Sequence, residues 1–305
     1  HVLQNLDVDV LYEAPLAMEQ EHLAQVACKC LNLPCPDPDL SEWESMIYAW
    51  KHPKQEISIA LVGKYTSLHD AYISVAEALK HGAVANHISV SIKWIDSQQI
   101  TKENVAEQLQ DVAGILVPGG FGDRGIEGMI DAIQYAREHN IPFFGLCLGM
   151  QLSIVEFARH VLRYEDAHSI ELNPSTTHPV INLMPEQEGV ENIGGTLRLG
   201  SYPCNLNPKS KAYALYQNQN ISERHRHRYE VNNDYRDVLE EHGMMLSGTS
   251  PDGRIVEMVE LPSHPWFLAT QAHPEFKSRP NRPHPLFRGF MEAALNHYFE
   301  TLCHN

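Results

Sequence analysis

A chain of 305 residues, 43% of them hydrophobic, can bury a full core, and its length suggests one or two domains. The formal net charge of −16 argues against a nucleic-acid-binding surface, because no basic stripe offsets the acidic excess. There is no signal peptide and no apolar run of ~18 residues, so nothing in the sequence places the chain in a membrane. The six cysteines are scattered rather than framed, which predicts a reducing, cytoplasmic location.

Residues 1 to 53 differ in pattern from the rest of the chain. The pattern predicts a strand with a turn at Leu6 to Leu16 and an amphipathic helix at Glu19 to Leu33. After a proline-rich break it predicts a second helix at Asp39 to Trp50, with Asp39 or Ser41 as the expected N-cap.

Three cysteines of this segment, Cys28, Cys30 and Cys35, form a C-x-C-x4-C pattern. Such a pattern can indicate a metal cluster. Here Cys28 and Cys30 fall on different faces of the predicted helix, and no fourth ligand is near in sequence. We therefore expect no metal site.

From Ile57 onward, apolar strands alternate with helices, which predicts an α/β fold. We expect a central sheet that is parallel or mixed, with helices on both faces. Functional sites in such sheets lie at the carboxyl ends of the strands. Strands are predicted at Ile57 to Tyr65, Ser89 to Asp96, from Gly114 and before Cys147, and helices at Leu68 to His81, Thr101 to Gln110, Gly125 to Asn140 and up to about Val161.

The strand that starts at Gly114 ends in Pro118 and a glycine cluster, P-G-G-F-G. Glycines suit a backbone whose amides face a ligand, although a Gly-rich turn without chemical function fits the same letters. If this strand neighbours the Cys147 strand, the amides of Gly120 and Leu148 could together bind a developing oxyanion.

The stretch from Pro142 to Gln151 reads as a short apolar strand that runs directly into a helix, with Cys147 at the corner. Gly145 and Gly149 flank it as G-x-C-x-G, the thiol form of a nucleophile elbow. A thiol at the first turn of a helix faces unpaired N–H groups, which favour the thiolate. By itself the pentapeptide also fits a buried structural cysteine.

After Pro174 strands dominate, and the chain closes with a helix from Pro285 to Phe299. The strand at Trp266 to Thr270 leads into Q-A-H-P-E-F. In an extended segment residues two apart share a side, so His273 and Glu275 could serve one thiol as base and orienting carboxylate. The other strands are predicted at His178 to Met184, Gly195 to Tyr202, Arg226 to Asn232, Met244 to Thr249 and Arg254 to Leu261.

P-G-G-F-G, G-L-C-L-G-M-Q and H-P-E, in this order and spacing, resemble the motifs of the class I (triad) glutamine amidotransferases. The run from Glu223 to Asn232, E-R-H-R-H-R-Y-E-V-N, narrows the resemblance to the CTP synthase family. The resemblance covers the chain from about Ile57 to its C-terminus. It implies a flavodoxin-like fold and a glutaminase domain whose ammonia aminates UTP on a separate, ATP-dependent synthetase domain.

The resemblance implies a role for each of several residues. Glu171 would bind the α-ammonium of glutamine and Arg228 its α-carboxylate, which planar Arg grips through two hydrogen bonds. By composition alone the His225 to Arg228 run also fits a solvated basic strand or an anion patch. The full set is a Cys147, His273 and Glu275 triad, an oxyanion hole of Gly120 and Leu148, and glutamine contacts from Gly120, Leu148, Gly149, Met150, Gln151, Glu171 and Arg228.

The resemblance also implies ligands and partners. L-glutamine is the substrate, this chain holds no cofactor, ATP and Mg belong to the synthetase domain, and GTP is the family's activator. No G-x-x-x-x-G-K-[ST] loop occurs, so ATP and UTP binding cannot be carried over to this chain. The full-length protein is expected to form a homo-oligomer, without nucleic acid or membrane partners. Residues 1 to 53 resemble the segment that leads into the family's glutaminase domain, so we expect them to be a remnant of the synthetase domain plus linker, and residues 54 to 305 to be the glutaminase domain.

Two other functions remain open at this level. A stand-alone hydrolase of γ-glutamyl compounds would explain the missing synthetase half but not the linker-like N-terminus. A non-catalytic regulatory or filament-forming module is disfavoured by the intact Cys147, His273 and Glu275.

Overall fold

Helices and strands alternate along the first half of the chain, as the sequence predicts, in the computed structural model, which describes residues 2–183 and 198–304. The helices are α1 (Ala14–Gln20), α2 (Leu23–Leu31), α3 (Ser41–Lys51), α4 (Ile73–Ala85), α5 (Val105–Gln108), α6 (Ile126–Glu138), α7 (Leu148–His160), α8 (Lys211–Tyr216), α9 (Arg236–Glu241) and α10 (Pro285–His304). The strands are β1 (Glu56–Gly63), β2 (Ser89–Asp96), β3 (Gly114–Val117), β4 (Phe143–Leu146), β5 (His168–Ser169), β6 (Pro179–Asn182), β7 (Arg198–Leu206), β8 (Asn220–His227), β9 (Glu230–Val231), β10 (Met245–Thr249), β11 (Val256–Glu260) and β12 (Phe267–Thr270).

The strands form a mixed sheet of nine strands in the order β2-β1-β3-β4-β12-β11-β10-β7-β8. The first five of these run parallel to their neighbours. From β12 onward the pairing is antiparallel, and the sheet ends at β8. A second sheet holds β5, β6 and β9. The predicted mixed α/β architecture is therefore confirmed.

Two hydrophobic clusters cover the two faces of the large sheet. Successive residues of a strand point to opposite faces, and Phe143 and Phe144 of β4 accordingly belong to different clusters. Phe143 packs with residues of α6 and α7. Phe144 packs with α4 and α10, where its ring lies 5.2 Å from that of Phe287. The helices thus lie on both faces, as expected.

The N-terminal segment departs from its predicted secondary structure. The expected strand at Leu6 to Leu16 is wrong, because residues Leu11–Glu13 form a 3-10 turn that continues into α1. The expected single helix at Glu19 to Leu33 is broken at His22, whose φ of 58° separates α1 from α2. α3 lies where it was predicted, but its N-cap is Leu40, so the expected N-cap at Asp39 or Ser41 is wrong. Asp39 instead accepts hydrogen bonds from the backbone and hydroxyl of Ser41, the first residue of the helix.

The same segment packs against α4. Tyr12 contacts Trp50 and donates a hydrogen bond to Glu77 of α4 at 2.9 Å. Around it lies a small cluster in which Met46 and Ile47 of α3 meet Val84 of α4. The division of the chain at residue 53 into two domains stays a prediction.

One predicted strand in the second half is wrong. Arg226 to Asn232 is not continuous, because β8 ends at His227 and β9 belongs to the smaller sheet. Met184, the last residue of one predicted strand, and residues 195 to 197 of the next lie outside the described residues, and β7 extends on to Leu206. None of the helices in the described ranges has both the length and the apolarity that a bilayer span requires.

Gly128 provides a test of the packing between α6 and the loop after β2. A Cβ at this position would lie 1.9 Å from the Ser97 carbonyl oxygen and 3.1 Å from Ile100 Cβ. Alanine is ordinarily the better helix former, by ~1 kcal/mol. We expect Gly128→Ala instead to lower the free energy of unfolding by about 1–3 kcal/mol, because the backbone must shift.

Urea unfolding of the wild type, Gly128→Ala and Glu292→Ala measures this effect. Glu292 is an exposed residue of α10, so its substitution should be nearly neutral. A Gly128→Ala variant as stable as the wild type would contradict the described contact.

Candidate active site

Cys147 lies at the corner between β4 and α7 with φ 51° and ψ −99°, a strained conformation for a residue with a side chain. Two glycines make the corner possible. A Cβ at Gly149 would lie 2.2 Å from the Val117 carbonyl oxygen, and one at Gly145 would lie 2.8 Å from the Gly149 backbone. The first turn of α7 is therefore pressed directly onto β3 and β4, and the turn directs the thiol out of the sheet.

Neighbouring strands fix the position of the cysteine further. Its backbone N–H donates to the carbonyl of Thr270, at the end of β12, at 2.8 Å. The Gln271 side-chain amide donates to Sγ at 3.6 Å, and the Arg226 carbonyl oxygen lies 4.0 Å from Sγ. Cys147 is 7% exposed, so its thiol is largely buried within reach of two cavities.

His273 and Glu275 follow directly after β12. The Nδ1 atom of His273 lies 2.8 Å from Oε1 of Glu275, so the predicted contact is made. The backbone that brings the two side chains together is not the expected extended segment, because residues Pro274–Lys277 form a 3-10 turn. The backbone N–H of His273 donates to the Arg224 carbonyl at 2.7 Å, which attaches this loop to β8.

The pKa of His273 is strongly perturbed. Burial alone would lower the pKa of the imidazole, but its contacts with Cys147 and Glu275 outweigh that effect and raise it to about 10. The ring therefore carries its proton at neutral pH. An imidazolium beside a thiol can stabilise a thiolate and can later donate a proton to a leaving amine.

The glycine loop after β3 faces the cysteine, since β3 and β4 are parallel neighbours. A Cβ at Gly119 would lie 2.9 Å from His273 Cε1 and 3.5 Å from Cys147 Cβ. Gly120 lies against Leu148, the first residue of α7. This placement agrees with the predicted pairing of the Gly120 and Leu148 amides, whose role in binding an oxyanion stays a prediction.

Two cavities meet at Cys147. The smaller, of about 280 Å³, extends from Cys147 and His273 toward Tyr65, Ser74 and Phe276. The larger has a volume of about 460 Å³, ample for an amino acid. The larger cavity is lined by Gly120, Phe121, Cys147, Leu148, Gln151, Glu171, Arg226, His227, Arg228 and Tyr229.

The larger cavity carries groups of opposite charge. Burial raises the pKa of Glu171, while Lys64 and Arg228 nearby favour its ionised form. The Nε atom of Arg228 is buried and has no hydrogen-bond partner within residues 2–183 and 198–304. A carboxylate ligand would supply that partner.

Two of the residues predicted to bind glutamine lie outside the cavity. The Met150 side chain is fully buried in the core, and Gly149 packs against Val117. Gln151 does reach the cavity, and its amide donates to the Tyr229 carbonyl at 3.1 Å and to the Gln271 side chain at 3.2 Å.

Sequence reasoning missed two residues of this region, Lys64 and Gln271. Lys64 follows β1 at the carboxyl edge of the sheet, where the rule for parallel sheets could have indicated it. Its ammonium donates to the carbonyls of Phe121 and Gly122 and so holds the glycine loop, and burial lowers its pKa to about 8. Gln271 opens the Q-A-H-P-E-F stretch, but no spacing rule assigns it a contact with the thiol.

Within the part of the chain that the structure describes, one group of three side chains could hold a metal ion: His225, His227 and Glu257. All three are buried. The two imidazoles are hydrogen-bonded to each other, with Nδ1 of His225 2.9 Å from Nε2 of His227, and Glu257 is paired with Arg198. The guanidinium already supplies the positive charge beside Glu257.

Comparison with known proteins agrees with this geometry. The family model described as glutamine amidotransferase class-I matches residues 67–293. A solved structure of the Trypanosoma brucei CTPS glutaminase domain with bound acivicin is 38% identical, with a TM-score of 0.74, and the match covers 79% of this chain and 94% of that one. The chain therefore belongs to the class I glutamine amidotransferases.

Within this class the chain corresponds to the glutaminase half of the CTP synthases. It is 58% identical to the CTP synthase of Halalkalibacterium halodurans and 57% identical to that of Carboxydothermus hydrogenoformans. Each match covers 96% of this chain and 55% of the relative, so the chain spans about half the length of these curated relatives.

The raised pKa of His273 predicts a pH dependence of stability. Between pH 6.5 and about 10 the folded protein keeps a proton on His273 that the unfolded chain has already released. The free energy of unfolding should therefore fall as pH rises through this window. The slope from one such group approaches ~1.4 kcal/mol per pH unit. Glu275→Gln removes one cause of the raised pKa and should flatten the slope.

Urea unfolding at several pH values between these limits measures the slope. Glu292→Gln, which removes an exposed carboxylate of α10, serves as the charge-matched control and should follow the wild type. An unchanged slope in Glu275→Gln would show that Glu275 does not hold the proton on His273.

Proposed function

We propose that this chain hydrolyses L-glutamine to glutamate and ammonia, with Cys147 as nucleophile, His273 as acid and base, and Glu275 as the carboxylate that orients His273. The observation that carries the proposal is that a strained, buried thiol and the His273–Glu275 pair, joined at 2.8 Å, line the same cavity. The raised pKa of His273 supports it. This arrangement suits acyl transfer through a thioester.

The reaction follows from the positions of these groups. The Cys147 thiolate attacks the side-chain amide carbon of glutamine, and the resulting oxyanion is stabilised by the N–H groups of Gly120 and Leu148. Loss of one such donor typically costs ~3–4 kcal/mol of barrier. His273 gives its proton to the departing nitrogen, which leaves as ammonia. The same imidazole then accepts a proton from water, which hydrolyses the γ-glutamyl thioester and frees the thiol.

The larger cavity would hold the amino-acid end of the substrate. Arg228 binds the α-carboxylate, which satisfies its buried Nε, and Glu171 binds the α-ammonium. Gln151, whose side-chain amide lies at the wall of this cavity, would also contribute to glutamine binding. Gly149 and Met150 can contribute only through their backbone at the first turn of α7.

The ammonia would serve the amination of UTP to CTP on a synthetase domain outside this sequence. The relatives named CTP synthase, which are nearly twice as long as the matched region, support this part of the proposal. ATP and Mg would bind to the synthetase domain and GTP would act as activator, while this chain holds no cofactor. The complete enzyme would be a cytoplasmic homo-oligomer.

Two measurements test the glutaminase proposal. Ammonia and glutamate release from glutamine should be lost in Cys147→Ala and retained in Cys204→Ala, whose thiol is also buried but lies away from both cavities. A glutamine analogue with an electrophilic δ-carbon should label Cys147 alone among the six cysteines. Labelling needs substrate binding and thiolate attack but no synthetase domain. Modification spread over Cys28, Cys204 and Cys303, or full activity in Cys147→Ala, would refute the proposal.

A further inference from the structure

Strand β8 and the residues after it supply several backbone groups to the active site. The Arg224 carbonyl accepts from the His273 backbone at 2.7 Å, and the Arg226 carbonyl lies 4.0 Å from the Cys147 thiol. Just beyond the strand, the Tyr229 carbonyl accepts from Gln151. The geometry of the site therefore depends on where β8 lies.

β8 is the last strand of the nine-stranded sheet and pairs with β7 alone. An edge strand has one hydrogen-bonded neighbour, so its position is less constrained than that of a central strand. After His227 the chain leaves this sheet, turns through Arg228 and Tyr229, and enters the smaller sheet at Glu230. This turn carries the proposed carboxylate-binding arginine, so contacts that hold the turn also position that side chain.

The buried side of β8 provides such contacts. Arg224 and Arg226 are exposed, whereas His225 and His227, on the opposite side, are only 2% and 3% exposed. Nδ1 of His225 lies 2.9 Å from Nε2 of His227. Two polar rings at core positions are costly unless they are hydrogen-bonded, and here each supplies a partner for the other.

His227 reaches into the turn that carries Arg228. Its Nδ1 lies 3.3 Å from the Tyr229 carbonyl oxygen and 3.3 Å from Oε1 of Glu230. The distances fit one pair of tautomers, in which Nδ1–H of His225 donates to Nε2 of His227, and Nδ1–H of His227 donates to the Tyr229 carbonyl. Burial lowers the pKa of both rings, that of His225 to about 3, which keeps them neutral as this chain of bonds requires.

Glu257 connects the histidine pair to the other side of the active site. Its Oε2 lies 3.5 Å from Nδ1 of His225, and its Oε1 accepts from Arg198 at 2.8 Å. Its backbone carbonyl accepts from the Gln271 N–H at 2.8 Å, and Gln271 in turn contacts the Cys147 thiol. One residue of β11 thus contacts both the strand that precedes Arg228 and the residue beside the nucleophile.

We infer that the buried pair of His225 and His227 positions the turn at Arg228 and Tyr229, so that His227 is a positioning residue for glutamine binding. The inference rests on the proposed function. Because His227 acts on the turn through Nδ1, its loss should weaken the grip on the substrate α-carboxylate. That contact exists in both the ground state and the transition state, so affinity should change more than the saturated rate.

The test uses two amides that each imitate one ring nitrogen. In His227→Asn the side-chain amide occupies the position of Nδ1, so the donor to Tyr229 is kept. In His227→Gln the amide occupies the position of Nε2, so the contact with His225 is kept and the donor to Tyr229 is lost. His264→Asn is the control, since His264 is also a buried histidine, with hydrogen bonds to Ala136 and Trp266 on another part of the sheet.

Calorimetry with L-glutamine on a Cys147→Ala background gives the dissociation constant without need of turnover. We expect His227→Gln to raise the Kd about tenfold. His227→Asn should stay within about threefold of the parent, and His264→Asn should not change the Kd. Thermal unfolding of each variant shows whether it is folded. His225→Gln leaves His227 in place and provides a second variant, for which we expect a smaller rise in Kd.

A double-mutant cycle with Arg228→Lys separates positioning from general destabilisation. If His227 acts through Arg228, then His227→Gln should add little to the loss already caused by Arg228→Lys. A purely structural role would give additive losses and would overturn the inference. An unchanged Kd in folded His227→Gln, or a stoichiometric metal ion that is lost on substitution of His225 or His227, would overturn it as well. Failure of the Cys147→Ala parent to bind glutamine would instead refute the proposed function, and this inference with it.

Discussion

The close approach of α7 to β3 is the contact on which the rest of the site depends. At Gly149 the helix backbone is so near the Val117 carbonyl that a Cβ would lie 2.2 Å from its oxygen. α7 begins at Leu148, directly after Cys147, whose φ of 51° turns the chain from β4 into the helix. Strain of this kind persists only where the surrounding structure enforces it. Here two parallel strands and the first turn of α7 do so.

The corner also determines what surrounds the thiol. β3 and β12 flank β4 as parallel neighbours, so their carboxyl ends bring the glycine loop and the His273 loop together around Cys147. The charged groups of the site lie in two separate places. The raised pKa of His273 keeps a proton near the Cys147 thiol, whereas Glu171 and Arg228 face the larger cavity. In the proposed reaction, chemistry and recognition of the amino-acid end would therefore use different groups, which are connected through the hydrogen bond between Gln151 and Gln271.

Local motifs made much of this predictable from sequence. The elbow at Cys147 and the His273 to Glu275 contact each lie within a few residues, and strong alternation of apolar strands and helices indicated the α/β sheet. Prediction failed where distant contacts decide the outcome. Leu6 to Leu16 has a strand-like pattern, but from Leu11 onward the chain forms a 3-10 turn and α1, and Tyr12 and Leu16 pack on a cluster from α3 and α4. Alternation in the H-R-H-R run predicted the two faces of β8, yet it could not reveal that the chain changes sheets after His227, or that Glu257 lies behind His225.

A structure of the covalent adduct between Cys147 and a glutamine analogue with an electrophilic δ-carbon tests the central claim most directly. The account predicts a bond at Sγ, the α-carboxylate of the adduct on Arg228 and its α-ammonium beside Glu171, all within the larger cavity. An adduct whose amino-acid end extends instead into the smaller cavity, toward Tyr65 and Phe276, would contradict the assignment of the two cavities and the role of Arg228.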